Sequence, residues 1–175
     1  MKQASRRNLT WLLIVVAIFA ADMLTKQLAE AMLTFGQKIP VLPVLDITLL
    51  YNKGAAFSFL ANESGWQRWF FTGISTAVSV MLIVWLRKLE AGQIWLGVAL
   101  SLVLGGALGN LFDRIAFGHV IDFIAVHWEN AYFPAFNIAD SAITVGAVML
   151  GVDAIKDSFG KKNEETERDS KSEAR

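Results

Sequence analysis

The sequence predicts a mainly α-helical, polytopic membrane protein with four transmembrane helices and a small β-sheet on its outer face. Of its 175 residues, 54% are hydrophobic and only 18% are charged, and the mean hydropathy is +0.44. A soluble domain would carry fewer apolar and more charged residues. The formal net charge is zero and the sequence has no cysteine. It therefore offers no basic excess for binding nucleic acid and no thiol for disulfides or catalysis.

Four apolar runs have the length of a membrane-spanning helix. They cover approximately residues 9–28, 69–86, 94–112 and 138–156. A helix that rises about 1.5 Å per residue needs about 17–25 residues to cross about 30 Å of hydrocarbon. The first run follows the basic start MKQASRRNLT, a plan that a cleavable secretory signal shares. The three further spans and the lack of a small-x-small cleavage motif favour a retained helix.

Lysine and arginine residues mark one side of the predicted membrane. They precede the first span, separate the second from the third and follow the fourth: Lys2, Arg6, Arg7, Arg87, Lys88, Lys156, Lys161 and Lys162. Because positively charged loops stay in the cytoplasm, we expect both termini to be cytoplasmic. The tail at residues 161–175 is polar and mixed in charge, and we expect it to be disordered. Residues 1–160 then form a single transmembrane domain.

The outer segment between the first two spans predicts the small sheet. Its stretch VLDITLLYN alternates in polarity and is rich in β-branched residues, and the following NKGAAFSFL brings a glycine turn signal. We place this β region at approximately residues 40–60.

The conspicuous polar residues fall at one depth, the outer boundary of the membrane. The predicted topology brings together there Asp22, Lys26, Asn110, Asp113, Arg114, Asp122, Asn137 and Asp140. Polar groups inside a membrane protein usually face a cavity or one another. Their shared depth therefore indicates one site.

Each of these residues also has a structural explanation. Asp22 and Lys26 share a helix face and can form a neutralising ion pair. Asn137 can cap the fourth helix with Asp140 in its first turn, and Asp122 can be an ordinary loop acid. Asp113 and Arg114 can be interfacial charges that anchor the third span. Helix packing is the better explanation of Gly105 and Gly109, and His119 and His127 are better explained as interfacial or loop residues than as ligands.

Two acids at one site suggest a particular chemistry. Carboxyl groups within hydrogen-bond distance share a proton and titrate as a unit. The ionised member can take a proton from water as the water attacks an amide carbonyl, while the protonated member polarises that carbonyl. The helix start favours an ionised Asp140, and apolar neighbours favour a protonated Asp122. This chemistry needs neither a metal nor another cofactor.

The motifs in their order resemble a known family. They are Asp22 with Lys26 in the first span, NKGAAFS from Asn52, GGALGNLFDR from Gly105, VIDF from Val120 and FNIADS from Phe136. With these motifs on four spans, the sequence closely resembles lipoprotein signal peptidase, or signal peptidase II, of the bacterial plasma (inner) membrane. The resemblance covers nearly the whole chain before the tail.

The resemblance implies an aspartic endopeptidase that cuts prolipoproteins before their diacylglyceryl-modified cysteine. Asp122 and Asp140 would be its catalytic dyad. The residues that would bind substrate or support the site are Asp22, Lys26, Asn52, Gly54, Asn110, Asp113, Arg114, Asn137 and Ala139. It also implies an outer β cradle and an extracytoplasmic loop or helix that closes over the substrate. Lys53 departs from the pattern, since threonine or a similar small residue is expected there.

The expected partners are modified prolipoproteins and membrane lipids, with no nucleic acid and no cofactor, and the expected state is a monomer. Two other functions fit the composition. A small membrane transporter or channel also uses intramembrane acids, although it needs charges at more than one depth. A structural membrane adaptor needs neither acid for its function.

Overall fold

The computed structural model describes residues 2–54, 66–129 and 131–173. Its elements in chain order are α1 Lys2–Met32, β1 Lys38–Leu42, β2 Leu45–Asn52, α2 Trp66–Lys88, α3 Ile94–Ala116, β3 Val120–Trp128, β4 Ala131–Tyr132 and α4 Ile138–Glu173. The mainly helical class with a small sheet is confirmed. The outer loop or helix expected after Gly54 falls on residues 55–65, outside the described residues.

Four helical segments are long and apolar enough to cross a membrane. They are Asn8–Met32, Trp66–Lys88, Ile94–Ala116 and Ile138–Lys156. Each coincides with a predicted span, although α1 runs past the predicted end at residue 28. It continues because Ala29, and Leu33 just beyond it, pack in an apolar cluster with Leu49, Ile121 and Phe123 of the sheet. The end of the bundle that carries this sheet is called the sheet end below, and the opposite end is called the far end.

Helix α3 is the centre of the bundle. It packs against α1, α2 and α4, and 56% of its most apolar stretch is buried, against 17% in each other span. Small residues make this possible: a side chain at Gly105 would meet Ile18 of α1, and one at Gly106 would overlap the carbonyl of Ala139 in α4. Close backbone approach of this kind is how helices associate in lipid. The predicted packing role of Gly105 is therefore correct.

The sheet has four antiparallel strands in the order β1-β2-β3-β4. The sequence predicted a β region at approximately residues 40–60, and its strand-like stretch VLDITLLYN contains β2. Strand β1 begins earlier, at Lys38, and residues 55–60 lie outside the described part of the chain. The sequence did not predict β3, which the connection between the third and fourth spans supplies. In the β2–β3 register Leu50 lies opposite Asp122 and Asn52 lies opposite Val120. The sheet therefore brings Asn52 beside Asp122.

Helix α4 continues without a break to Glu173, through most of the tail for which disorder is expected. The sequence KKNEETERDSKSE contains neither proline nor glycine, and lysine, arginine and glutamate have good helix propensity. The division into a domain at 1–160 and a separate tail remains a prediction.

Candidate active site

The predicted site residues meet at the sheet end of the bundle, where α1, α3 and α4 approach β2 and β3. Those buried there are Asp22, Lys26, Asn110, Asp113, Asp122, Asn137 and Ala139. Those half-buried there are Asn52, Gly54, Arg114 and Asp140. Charged groups at this level of burial must be paired and hydrogen-bonded.

Lys26 is the centre of the buried charges. Its Nζ lies 2.7 Å from Asp22 Oδ2 and 2.8 Å from Asp113 Oδ2, and it donates to Asn110 Oδ1 at 3.1 Å. The predicted pair of Asp22 and Lys26 is thus present, with Asp113 as a second carboxylate. Gly109 leaves the space for the carboxylate of Asp22, which any side chain at position 109 would overlap.

Lys26 fixes the orientation of Asn110. An ammonium group only donates, so the Asn110 oxygen must face it and the amide nitrogen must face away. That nitrogen donates to Asp140 Oδ1 at 2.7 Å. A chain of hydrogen bonds therefore runs from Lys26 through Asn110 to Asp140. Its last bond is the one that the Asn110 side-chain amide donates to the carboxyl group of Asp140.

Asn137 caps α4 as predicted. The Asp140 N–H donates to Asn137 Oδ1 at 2.9 Å, and the Asn137 N–H donates to Asp140 Oδ2 at 3.3 Å. This reciprocal pattern is a capping box, and it places Asp140 at the positive end of the helix dipole. Asp22 of α1 completes the helix start, because its Oδ1 accepts the Ala139 N–H at 2.9 Å.

Asp122 is buried in β3 and accepts two side-chain hydrogen bonds. Asn52 Nδ2 donates to its Oδ2 at 3.0 Å, and Asn137 Nδ2 donates to its Oδ1 at 2.8 Å. Burial, and secondly the negative charge of Asp140, raise the pKa of Asp122 from 3.8 to about 7, although the two hydrogen bonds oppose the rise. The direction of this shift is the one that the sequence argument expected from the apolar neighbours of Asp122.

Asn137 connects the two acids. Its side-chain amide binds Asp122 and its main-chain N–H binds Asp140. No hydrogen bond joins the two carboxyl groups directly among the contacts of the described residues. The two acids are therefore held by two different amide groups of the same residue, Asn137.

Arg114 and Gly54 lie at the edge of this site. Arg114 donates to the Asn110 carbonyl at 3.1 Å, interacts electrostatically with both acids, and lies 5.6 Å from the ring of Phe71. Gly54 donates its N–H to Asn52 Oδ1 at 2.9 Å. It needs to be glycine because its φ is +98° and a side chain would collide with Phe71.

The sequence argument missed two residues of α2 that pack against the candidate active site or support it. Phe71 packs beside Gly54 and Arg114, but inside an apolar span it carries no distinguishing signal. Arg68 donates from Nε to the Arg114 carbonyl and from Nη2 to the Ile115 carbonyl, both at 2.8 Å. A cation just before an apolar span was its only sequence signal.

No cluster of three or more histidine, cysteine, aspartate or glutamate side chains suited to a metal ion occurs in the described part of the chain. His127 lies instead beside Asp46 on the sheet, with Nε2 3.4 Å from Asp46 Oδ1. It lies in β3, opposite Tyr132 of β4, and not in a loop, because the segment that follows α3 forms a strand.

Comparison with known proteins gives consistent matches. The Peptidase_A8 family, described as Signal peptidase (SPase) II, matches residues 14–156. A lipoprotein signal peptidase of Pseudomonas aeruginosa (strain UCBPP-PA14) is 59% identical over 151 residues, 85% of this chain and 89% of that protein. A second, of Pseudomonas syringae pv. tomato (strain ATCC BAA-871 / DC3000), is 54% identical over 171 residues, 97% of each chain.

Solved structures agree with the sequence matches. One bacterial membrane enzyme superposes with a TM-score of 0.77 at 35% identity, covering 87% of this chain and 91% of the other. Another gives a TM-score of 0.76 at 34% identity, covering 85% and 94%. These matches confirm the resemblance that the motifs indicated. The chain belongs to the signal peptidase II family.

Proposed function

We propose that Asp122 and Asp140 are the catalytic carboxyl groups with which this peptidase removes signal peptides from prolipoproteins. Membership of the family makes the chain a peptidase of that class. The observation that carries the assignment is the set of hydrogen bonds that holds all four carboxyl oxygens. Asn52, Asn110 and Asn137 bind them from three different elements. Such fixed orientation is what a reaction between a bound amide and water needs.

The two acids take different roles. Asp140, at the helix start and facing Asn110, is the ionised base, and Asp122, with its raised pKa, is the acid. Asp140 removes a proton from water as the water oxygen bonds to the carbonyl carbon of the scissile amide. Asp122 protonates the carbonyl oxygen, so that a neutral tetrahedral intermediate forms.

The second half of the reaction returns the protons. The base that received the water proton delivers it to the amide nitrogen, and the carbon–nitrogen bond breaks. The hydroxyl proton of the intermediate returns to the other acid as the new carboxyl group forms. Arg114, close to both acids, limits the build-up of negative charge around them.

The chain is a multi-pass membrane protein, and its membrane is the bacterial inner membrane in this proposal. Basic residues near the far ends of the spans, Arg87, Lys88 and Lys156, support this proposal of cytoplasmic termini and of acids near the outer face. There a cysteine that carries a diacylglyceryl group keeps its acyl chains in the bilayer while its preceding amide reaches the acids. Asn52, Gly54 and Arg114 line the approach to them. One chain supplies every site residue, which supports a monomer.

The experiment compares purified protein acting on a diacylglyceryl-modified precursor and on the unmodified precursor. Cleavage of the modified form alone supports the substrate proposal. Asp122→Asn and Asp140→Asn should each lower kcat by about 10²–10⁴-fold or more. Asp153→Asn removes a carboxylate from the same helix, α4, far from the site, and should leave cleavage unchanged. Full activity in either catalytic variant would contradict the assignment of the acid pair.

A further inference from the structure

A groove on the far half of the bundle lies between α1, α2 and α3. Its volume is about 430 Å³, and its apolar wall consists of Trp11, Leu12, Val15, Ile83, Leu86, Leu104 and Leu108. A second apolar groove of about 390 Å³ shares Leu12, Val15 and Leu108 with it and continues to Phe112 and Ile115. Along α1, the residues from Asn8 to Phe19 that line the two grooves cover about 16 Å, at 1.5 Å per residue. This equals about half of a 30 Å hydrocarbon core.

The groove is separate from the candidate active site. Leu108 and Asn110 are two residues apart on α3, which places them about 200° apart around the helix. Leu108 lines the groove, whereas Asn110 binds Lys26 and Asp140. The groove therefore opens on the side of α3 that faces away from the acids.

Polar groups lie only at the far end of this groove. Asn8 and Arg87 line it there, and Arg87 forms no ion pair with any described residue. Trp11 stands about one turn deeper than Asn8 along α1. Its side chain is 6% exposed, and its indole N–H has no acceptor among the residues that the structure describes. The same nitrogen is closed to solvent, so Trp11 contributes its ring to the wall and offers no donor to a molecule in the groove.

The order of these groups matches the order of groups in a phospholipid. A cation at the membrane surface suits the phosphate, and the apolar groove beyond it suits an acyl chain. We propose that this groove binds one anionic phospholipid. With the proposed orientation of the chain, the lipid comes from the leaflet that faces the cytoplasm. The positive charge of Arg87 selects an anionic over a zwitterionic headgroup.

The charge requirement is tested on the purified full-length protein by native mass spectrometry. The probes are dioleoyl-phosphatidylglycerol and dioleoyl-phosphatidylcholine, which have the same acyl chains. One phosphatidylglycerol should bind about tenfold more tightly than phosphatidylcholine, and Arg87→Gln should remove this preference. Lys88→Gln is the matched control, because it makes the same charge change one residue away but outside the groove, and it should keep the preference. Equal binding of both lipids, or equal losses in the two variants, would overturn the proposal.

The groove itself is tested by a pair of neighbouring substitutions. Leu12 and Leu13 are both exposed on α1, at 56% and 60%, but only Leu12 lines the groove. Leu12→Trp should therefore abolish phosphatidylglycerol binding, whereas Leu13→Trp should not.

A peptidase assay of the same variants separates this site from the substrate site. Leu12→Trp should cleave the modified precursor with an unchanged KM. If it instead raised the KM for the precursor and left lipid binding intact, the groove would be a site for the signal peptide and the lipid proposal would be wrong. Loss of lipid binding in an active variant would leave the assignment of the acids untouched.

Discussion

The two ends of the helix bundle are held together by different forces. At the far end, the buried residues form an apolar cluster of Trp11, Val15, Leu82, Leu86, Leu89, Leu100 and Leu104. At the sheet end, the same helices bury an ammonium group and several carboxyl and amide groups that hydrogen-bond to one another. Apolar packing tolerates small changes in shape, whereas buried charges depend on every partner. The apolar cluster at the far end thus stabilises the helix bundle, and the stable bundle holds the charged groups at the sheet end in place.

The largest effect should come from removing the positive charge at the sheet end. Lys26→Met leaves the carboxylates of Asp22 and Asp113 without their shared cation, and breaking a buried charge network costs about 3–5 kcal/mol. The free energy of unfolding in mild detergent, measured by denaturant titration, should fall by that amount. Lys88→Met, at the exposed far end of α2, is the control and should change it by less than about 0.5 kcal/mol. A loss as small as that of the control would show that Lys26 is not the electrostatic centre.

The apolar end should respond differently. Leu100 is fully buried in the cluster, and Leu100→Ala should lower the free energy of unfolding by about 3 kcal/mol through the cavity that it leaves. Because the cluster has no contact with the acids, kcat per folded molecule should stay near that of the parent protein. Unfolding and single-turnover cleavage measured on the same sample distinguish the two effects. A proportional loss of kcat would contradict the independence of the two ends.

The contribution of Asp122 to the free energy of unfolding should depend on pH. Its folded pKa of about 7 exceeds the ordinary 3.8, so between these values the folded state keeps a proton that the unfolded state has lost. The stability that this group contributes is complete below about pH 4 and is lost as the pH rises through about 7.

Asp122→Asn removes this pH-dependent loss. The gain at pH 8 is at most about 4 kcal/mol, and a lost hydrogen bond to Asn52 or Asn137 costs about 1–2 kcal/mol. The variant should therefore be about 2 kcal/mol more stable than the parent at pH 8 and no more stable at pH 4. Thermal unfolding at the two pH values measures it, and a difference that does not depend on pH would rule out the raised pKa. The kcat/KM of the parent enzyme should fall above about pH 7 for the same reason.

The smallest effect should come from the link between α2 and the end of α3. Arg68→Gln removes hydrogen bonds to the carbonyls of Arg114 and Ile115, and it should cost about 1 kcal/mol because the side chain is only half-buried. Arg68→Lys keeps the charge and should recover part of the loss. Thermal unfolding detects the change, and an unaltered midpoint in Arg68→Gln would show that this contact does not hold the junction.

The sequence predicts the features that depend on neighbours along the chain. Run length gives the four spans, the four-residue spacing gives the pair of Asp22 and Lys26, and the cap of α4 follows from Asn137 three residues before Asp140. Each of these signals lies within one helix or its first turn, where local geometry determines the contact.

Contacts across the fold were beyond the sequence argument. Asn52 reaches Asp122 only because β2 pairs with β3, and an irregularity between Ile47 and Leu50 sets that register. The apolar run VIDFIAV gave no clear alternation, so β3 was missed. The orientation of Asn110 depends on Lys26, which lies 84 residues earlier. Long-range register and amide orientation are tertiary properties, and no local pattern encodes them.

Through the capping box, the alignment of the two acids depends on the first turn of α4. In most proteins the first turn of a helix opens transiently at little free-energy cost. Here the hydrogen bonds that close that turn are the ones by which Asn137 holds Asp140, while its side chain holds Asp122. Fraying of that single turn would weaken the hold on both acids at once, and would leave Asp122 bonded to Asn52 and Asp140 bonded to Asn110. Alignment of the acids is therefore coupled to the local folding of that turn, and substrate that binds to the aligned acids would also keep the helix wound.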